Sequence, residues 1–229
     1  RDYVSGAMEN TTAVLHQESA QQKPGDLIDE NRWEDVISHE LFHHWFGDLV
    51  TTESWSNLTV NESFANYSEY LWNEYKYGKD FADYTLMKAA EGYFRGPSNV
   101  TKDLVRFNYH HKEDMFDAVS YNKGGSILHM LRNYLGDEAF WAGMHDYLKT
   151  NEYGTGEAHQ FRLSLEKVSG KDLNWFFNQW YFNSVHPKVS YTTTFEPVKK
   201  EVKITVSQDQ LGGNFQFPLA LDIYENGRP

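Results

Sequence analysis

The sequence predicts a mainly α-helical fold with a β part, on three observations. Apolar residues recur at helical spacing through most of residues 31–182. Glycines and prolines at Gly47, Gly92, Gly96-Pro97 and Gly124-Gly125 cut that stretch into separate segments. After His186-Pro187 the repeat shortens to two, with Val202, Ile204 and Val206 alternating with charged or polar residues. A boundary at residues 184–187 follows, with a helical domain over 1–185 and the start of a second, incomplete domain over 186–229.

Tyr3 to Asn10 reads as a short strand ending in Gly6-Ala7-Met8-Glu9-Asn10. The small residues Gly6 and Ala7 allow another backbone to approach, as an edge strand must where a peptide adds to it. A plain strand end and turn accounts for the same residues. Val14 and Leu15 end a strand, and the polar run through Lys23-Pro24-Gly25-Asp26 is a loop. The first strong helix spans Asn31 to Phe46, with Val36, His39, Glu40, His43 and Gly47 on one side. Trp33, Ile37, Leu41 and Trp45 form a second apolar row, so this helix is expected to be buried on several sides. Residues 48–52 cross to a second helix over Leu58 to Tyr77, where Glu62, Ala65, Asn66 and Glu69 share a face. A helical stretch and then a loop fill Lys79 to Tyr109. Tyr121 sits at the mouth of a helix over Ser126 to Leu135, either facing a cleft or packed. Short helices follow at Phe140–Thr150, His159–Val168 and Leu173–Phe182. Beyond the boundary, the alternations at 202–206 and at Phe215, Phe217, Leu219, Leu221 and Ile223 read as strands of an antiparallel sheet with one buried face.

Bulk composition narrows the chemistry. The 229 residues are 40% hydrophobic and 16% aromatic, enough for one sizeable core and part of another. A net charge of −12 speaks against nucleic acid as a partner, because phosphate binding needs a basic face. The absence of cysteine excludes disulfides and thiolate metal sites. No apolar run approaches the roughly 20 residues that span a bilayer. The opening Arg1-Asp2-Tyr3-Val4 reads as mid-strand, and the Asn226-Gly227 hairpin turn has no return strand. The chain therefore reads as a piece of a longer protein.

One motif carries chemistry. His39 and His43 lie four apart on a helix and so on one face, where their imidazoles can hold a single metal ion. Glu40 leans toward the same side and can reach a metal-bound water without ligating the metal. A third ligand must come from elsewhere, and Glu62 follows after about one helix–loop–helix length. Glu69 lies two turns beyond Glu62. It is placed either to accept the free N–H of a metal-bound imidazole or to sit as an exposed helix charge. His44 is turned away from His43, and His110, His111, His129, His145 and His159 lack a partner at ligand spacing.

Three separated motifs together resemble the gluzincin aminopeptidases, the family of aminopeptidase N and leukotriene hydrolase. They are Gly6-Ala7-Met8-Glu9-Asn10, the stretch His39 to His43 with Glu62, and Tyr121 with Lys123-Gly124. The resemblance implies a thermolysin-like zincin catalytic domain over residues 1–185, followed by the first strands of an antiparallel β-sandwich. It implies one zinc ion on His39, His43 and Glu62, with Glu40 as general base and Tyr121 stabilising the oxyanion. It further implies a substrate-binding strand of Gly6, Ala7, Met8 and Glu9, with Glu9 gripping the free amine of a peptide, and Glu69 backing a zinc ligand. The implied activity is removal of the N-terminal residue of peptides by Glu-assisted attack of zinc-bound water. The family carries Trp-Leu-Asn-Glu-Gly where this chain has Thr59-Val60-Asn61-Glu62-Ser63. Its N-terminal β domain and C-terminal helical domain are absent from the 229 residues. Those domains close the cavity, so low activity is expected of this stretch alone.

Two other readings do worse. The metzincin pattern needs Gly and His where Phe46 and Leu49 stand. A purely structural zinc site closes its fourth position with protein, and Glu40 and Tyr121 speak against that. Five Asn-x-Ser/Thr acceptors begin at Asn10, Asn57, Asn61, Asn66 and Asn99. A glycan at Asn10 or Asn61 would block the site, which favours a bacterial parent, cytoplasmic or periplasmic.

Overall fold

The computed structural model describes residues 3, 5–28, 31 and 33–224. The proposed start in mid-strand and the Asn226-Gly227 turn lie largely or wholly outside them. The chain divides into two compact units, residues 1–184 and 185–229.

The first unit opens with β1 (Ala7–Met8) paired antiparallel to β2 (Leu15–His16). Helix α1 (Glu34–Phe42) follows, then β3 (Val50–Thr52), then the long α2 (Thr59–Tyr77) and α3 (Lys79–Arg95). A π-helical turn, Val119–Lys123, runs directly into α4 (Gly124–Leu135). Helix α5 (Asp137–Asn151), strand β4 (Gly154–Gly156), and helices α6 (Ala158–Ser169) and α7 (Asn174–Trp180) complete the unit. Single glycines at positive φ, Gly78 at +91° and Gly136 at +81°, separate α2 from α3 and α4 from α5. That conformation costs other residues steric energy and lets two helices meet at a sharp corner.

Helix α2 is the centre of the unit, with most of its first three turns buried. Helix α1 lies antiparallel to it, and a ladder of side chains fixes the register. Glu34 meets Lys76 and Tyr77, Asp35 accepts from Asn73 at 3.1 Å, and Ser68 donates to the Ser38 carbonyl at 3.1 Å. Each step down α1 is a step up α2, so the C-terminal end of α1 faces the N-terminal end of α2. The floor beneath is aromatic. Phe46 stacks on Phe64 with centroids 4.3 Å apart, and Tyr147 and Phe161 close around them. Burying such rings is the largest hydrophobic contribution a residue can make.

Five sequence expectations change. The first helix ends at Phe42 rather than Phe46, because residues 43–50 turn back into β3 through bonds such as Asp48 N–H to the His43 carbonyl, 2.9 Å. Its second apolar row is not buried: Ile37, Leu41 and Trp45 are 47%, 57% and 46% exposed. Residues 48–52 do more than cross over, since β3 pairs in parallel with β4, Val50 opposite Gly154. In the second unit, β5 (Val189–Glu196) and β6 (Glu201–Gln208) form an antiparallel hairpin, but Tyr191, Phe195, Val202 and Val206 are exposed and no buried face forms. Phe215 to Ile223 is not a strand. The Phe215 N–H and carbonyl are taken by the Gln208 side-chain amide, at 2.8 and 2.7 Å, rather than by a ladder.

Candidate metal centre

The α1–α2 ladder continues into a cluster of buried polar side chains. His39 is on the last turn of α1, and His43 caps it in helical geometry, its N–H still bonded to the His39 carbonyl. The two imidazoles therefore keep the four-residue spacing although the helix ends between them. Facing them, Glu62 projects from the first turn of α2. His39 Nε2 and His43 Nε2 each lie 3.3 Å from Glu62 Oε2. One ligand atom from each of the three residues lies within 4.8 Å of the others, and all three residues are buried.

The far side of each ring is already committed. His39 Nδ1 meets Glu69 Oε1 at 2.8 Å, and Glu69 also accepts from Asn66. His43 Nδ1 meets the Phe46 carbonyl at 2.9 Å. A carboxylate and a carbonyl can only accept, so both rings carry hydrogen on Nδ1 and turn Nε2 toward Glu62. Without a metal, that geometry draws protons. Burial works against protonation of His39, but hydrogen bonds to Glu62 and Glu69 outweigh it and raise its pKa to about 10. His43 is raised in the same way, by Glu62 against burial. Glu62, despite burial, is held down to about 2 by the two imidazoles. The pocket is built around positive charge. Two imidazole nitrogens and a carboxylate, oriented from behind, are a donor set that fits a zinc ion.

Glu40 sits beside this cluster without joining it. Burial, opposed by the His39 and His43 charges, raises its pKa to about 7. Its Oε2 is buried with no hydrogen-bond partner among the described residues. Glu9, just past β1, brings a second carboxylate alongside: single ligand atoms of Glu9, Glu40 and His43 lie within 4.8 Å of one another. Ala7 pairs with His16 and Met8 with Leu15, and Gly6, Ala7 and Met8 lead the chain directly into Glu9 at the cluster. Tyr121 closes the opposite wall, its ring stacked on His39 at 5.8 Å. Burial and then the Glu62 charge, to which its hydroxyl also bonds, push its pKa far above the usual phenol range. It is a hydrogen-bond donor at any ordinary pH.

The structure thus gathers His39, Glu40, His43, Glu62, Glu69, Glu9 and Tyr121 into one place. His44 turns aside and bonds the Leu41 carbonyl at 3.1 Å. Sequence reasoning missed the residues that hold Tyr121, because they lie in the irregular chain before the π-helical turn, where no repeat marks them. Asp117 Oδ1 accepts from the N–H groups of Val119 and Ser120, and its Oδ2 binds Lys102 and Arg106.

Comparison with known proteins identifies the family. Residues 1–180 match the peptidase family M1 domain. The chain is 32% identical over 243 residues to probable aminopeptidase 2 of Sulfurisphaera tokodaii, covering 99% of this chain and 30% of that protein. It is 33% identical over 200 residues to aminopeptidase M1 of Arabidopsis thaliana, covering 82% and 22%. Among solved structures it is similar in fold to Legionella pneumophila aminopeptidase A in complex with aspartic acid. There the TM-score is 0.73 at 24% identity, over 91% of this chain and 24% of that one. It is also similar to a mutant M1 zinc metallopeptidase from Deinococcus radiodurans bound to a Tyr-Ser-Ala substrate, with TM-score 0.64 and 27% identity over 80% and 38%. The chain spans about a third or less of the length of the curated relatives named here.

Proposed function

The chain belongs to peptidase family M1, and from that premise we propose that it is the catalytic portion of a zinc aminopeptidase that removes the N-terminal residue of peptides. The observation that carries the reading is the pair of imidazoles tied at Nδ1 and open at Nε2, converging on the Glu62 carboxylate. His39, His43 and Glu62 would hold the zinc. When bound there, zinc would supply Lewis acidity toward the scissile carbonyl and a nearby water.

The remaining work falls to side chains. Glu40, unpartnered at Oε2 and beside the cluster, accepts a proton from the attacking water and delivers it to the leaving amine. Tyr121, locked in its protonated form, donates to the oxyanion that develops on the carbonyl. Glu9 binds the substrate's α-ammonium, so that only the first peptide bond reaches Glu40. The relatives' names and the substrate-bound family structure support the class of reaction.

Because the relatives are longer, the test belongs in the full-length protein. Glu40→Gln keeps the shape of the side chain and removes its basicity. We expect full zinc occupancy by elemental analysis and a fall in aminoacyl-anilide turnover of about 10²-fold or more. Loss of zinc from this variant would make Glu40 a ligand and sink the assignment.

A further inference from the structure

The residue after Glu62 is Ser63, fully buried on α2. Its Oγ donates to the Ser120 carbonyl at 2.6 Å, and so accepts from Thr59 Oγ1, also at 2.6 Å. Ser120 precedes Tyr121. The serine hydroxyl therefore links the backbone next to one proposed ligand with the backbone next to the proposed oxyanion donor. The fit around it is close. A Cβ on Gly124 would stand 1.9 Å from Ser63 Oγ, so that glycine is the notch that receives the hydroxyl. One turn along α2, Asn66 fills the matching notch at Gly125, where a Cβ would stand 2.5 Å from its Oδ1.

The segment that Ser63 grips has little regular structure to hold it. A π-helical turn is rare, and such turns are found frequently at functional sites. Here the turn is pinned from outside at several points. Asp117 caps its start, Ser120 Oγ donates to the Met115 carbonyl at 2.5 Å, and Asn122 donates to the Ala89 carbonyl on α3 at 2.8 Å. Of these bonds, only the one from Ser63 reaches the turn from α2, the helix that carries Glu62. We propose that Ser63 is a positioning residue for Tyr121, its hydroxyl setting the distance between the phenol and the metal-binding carboxylate. The proposal rests on the oxyanion role given to Tyr121 above.

The test is a double-mutant cycle in the full-length protein, with kcat, KM and zinc content measured for Ser63→Ala, Tyr121→Phe and the pair. Ser63→Ala keeps the Cβ and deletes the hydroxyl. We expect kcat to fall roughly tenfold, as for a small displacement of a reacting group, with KM and zinc content unchanged. Tyr121→Phe should lower kcat by roughly 10²–10³-fold. In the Tyr121→Phe background, Ser63→Ala should cost less than about twofold, since there is no hydroxyl left to position. An equal loss in both backgrounds, or no loss from Ser63→Ala alone, overturns the proposal. Unchanged kcat in Tyr121→Phe alone rejects the role of Tyr121 itself, and the proposal with it. If Ser63→Ala fails to fold, Ser63→Gly removes the same hydroxyl and is the residue found here in the family pattern, and the same outcomes decide.

Discussion

In the proposed reaction, trimming of peptide ends rather than internal cleavage would turn on Glu9. Its half-buried carboxylate lies beside Glu40 and His43, where a peptide's α-ammonium would be the cation that pairs with it. Removing one partner of such a pair costs about 2–5 kcal/mol. Glu9→Ala should therefore lower kcat/KM for free-amine peptides roughly 30-fold or more. Acetylated peptides should be poor substrates of the parent and change little in the variant. Equal cleavage of free and acetylated peptides by the parent would end the exopeptidase reading. At this scale the sequence was legible where spacing alone brings groups together. His39, Glu40 and His43 share a helix face, whereas the spacing of Glu69 left two readings that only the 2.8 Å contact to His39 separates. Ser63 stood out only as a departure from the family pattern, and its bond to the Ser120 carbonyl had no signal because the two lie 57 residues apart.

Among elements, long helices with buried faces were legible and short pairings were not. Helix α2 emerged within a residue of the expected bounds, since nineteen residues give the helical period room to show. The pairing of β3 with β4 was invisible. Three-residue strands a hundred positions apart carry no repeat, and Gly154-Thr155-Gly156 reads as a turn. The glycines there serve closeness. A Cβ on Gly156 would stand 2.0 Å from the Tyr147 hydroxyl and 2.9 Å from Val50 Cγ1. Gly156→Ala should destabilise the protein by about 1–3 kcal/mol, read as a lower urea midpoint, with zinc content unaltered. An unchanged midpoint would show that the seam has room to give. The exposed row Ile37, Leu41 and Trp45 is the opposite lesson: periodicity locates an apolar face without saying what covers it.

For the molecule as a whole, the site links stability to pH in a way that depends on the metal. In the metal-stripped protein His39 has a folded pKa near 10 against an ordinary 6.5. The stability it contributes is complete below the lower value and lost as pH rises through the upper one. His43 acts in the same direction. Glu40, raised from 4.5 to about 7, adds a further cost as it ionises on the way up. Glu62, lowered to about 2, contributes stability above 4.5 and loses it only in strong acid. The stripped protein should therefore have a urea midpoint that falls between about pH 6 and 9. With zinc bound the midpoint should hold or rise over the same range, because zinc competes with the protons it displaces. A stripped protein that grows more stable toward pH 9 would contradict the charge arrangement of the cluster.

The ladder between α1 and α2 has a consequence in time as well as in space. All three proposed ligands fall within residues 39–62, on two antiparallel helices joined by a short return, so closing that loop costs little chain entropy. Contacts of low sequence separation are favoured early in folding, and His39 and Glu62 are 23 positions apart, whereas Tyr121 and the β3–β4 seam must be gathered from farther along the chain. A metal ion meeting the emerging hairpin would find its binding groups, and Glu40 between them, assembled before Tyr121 joins from beyond α3.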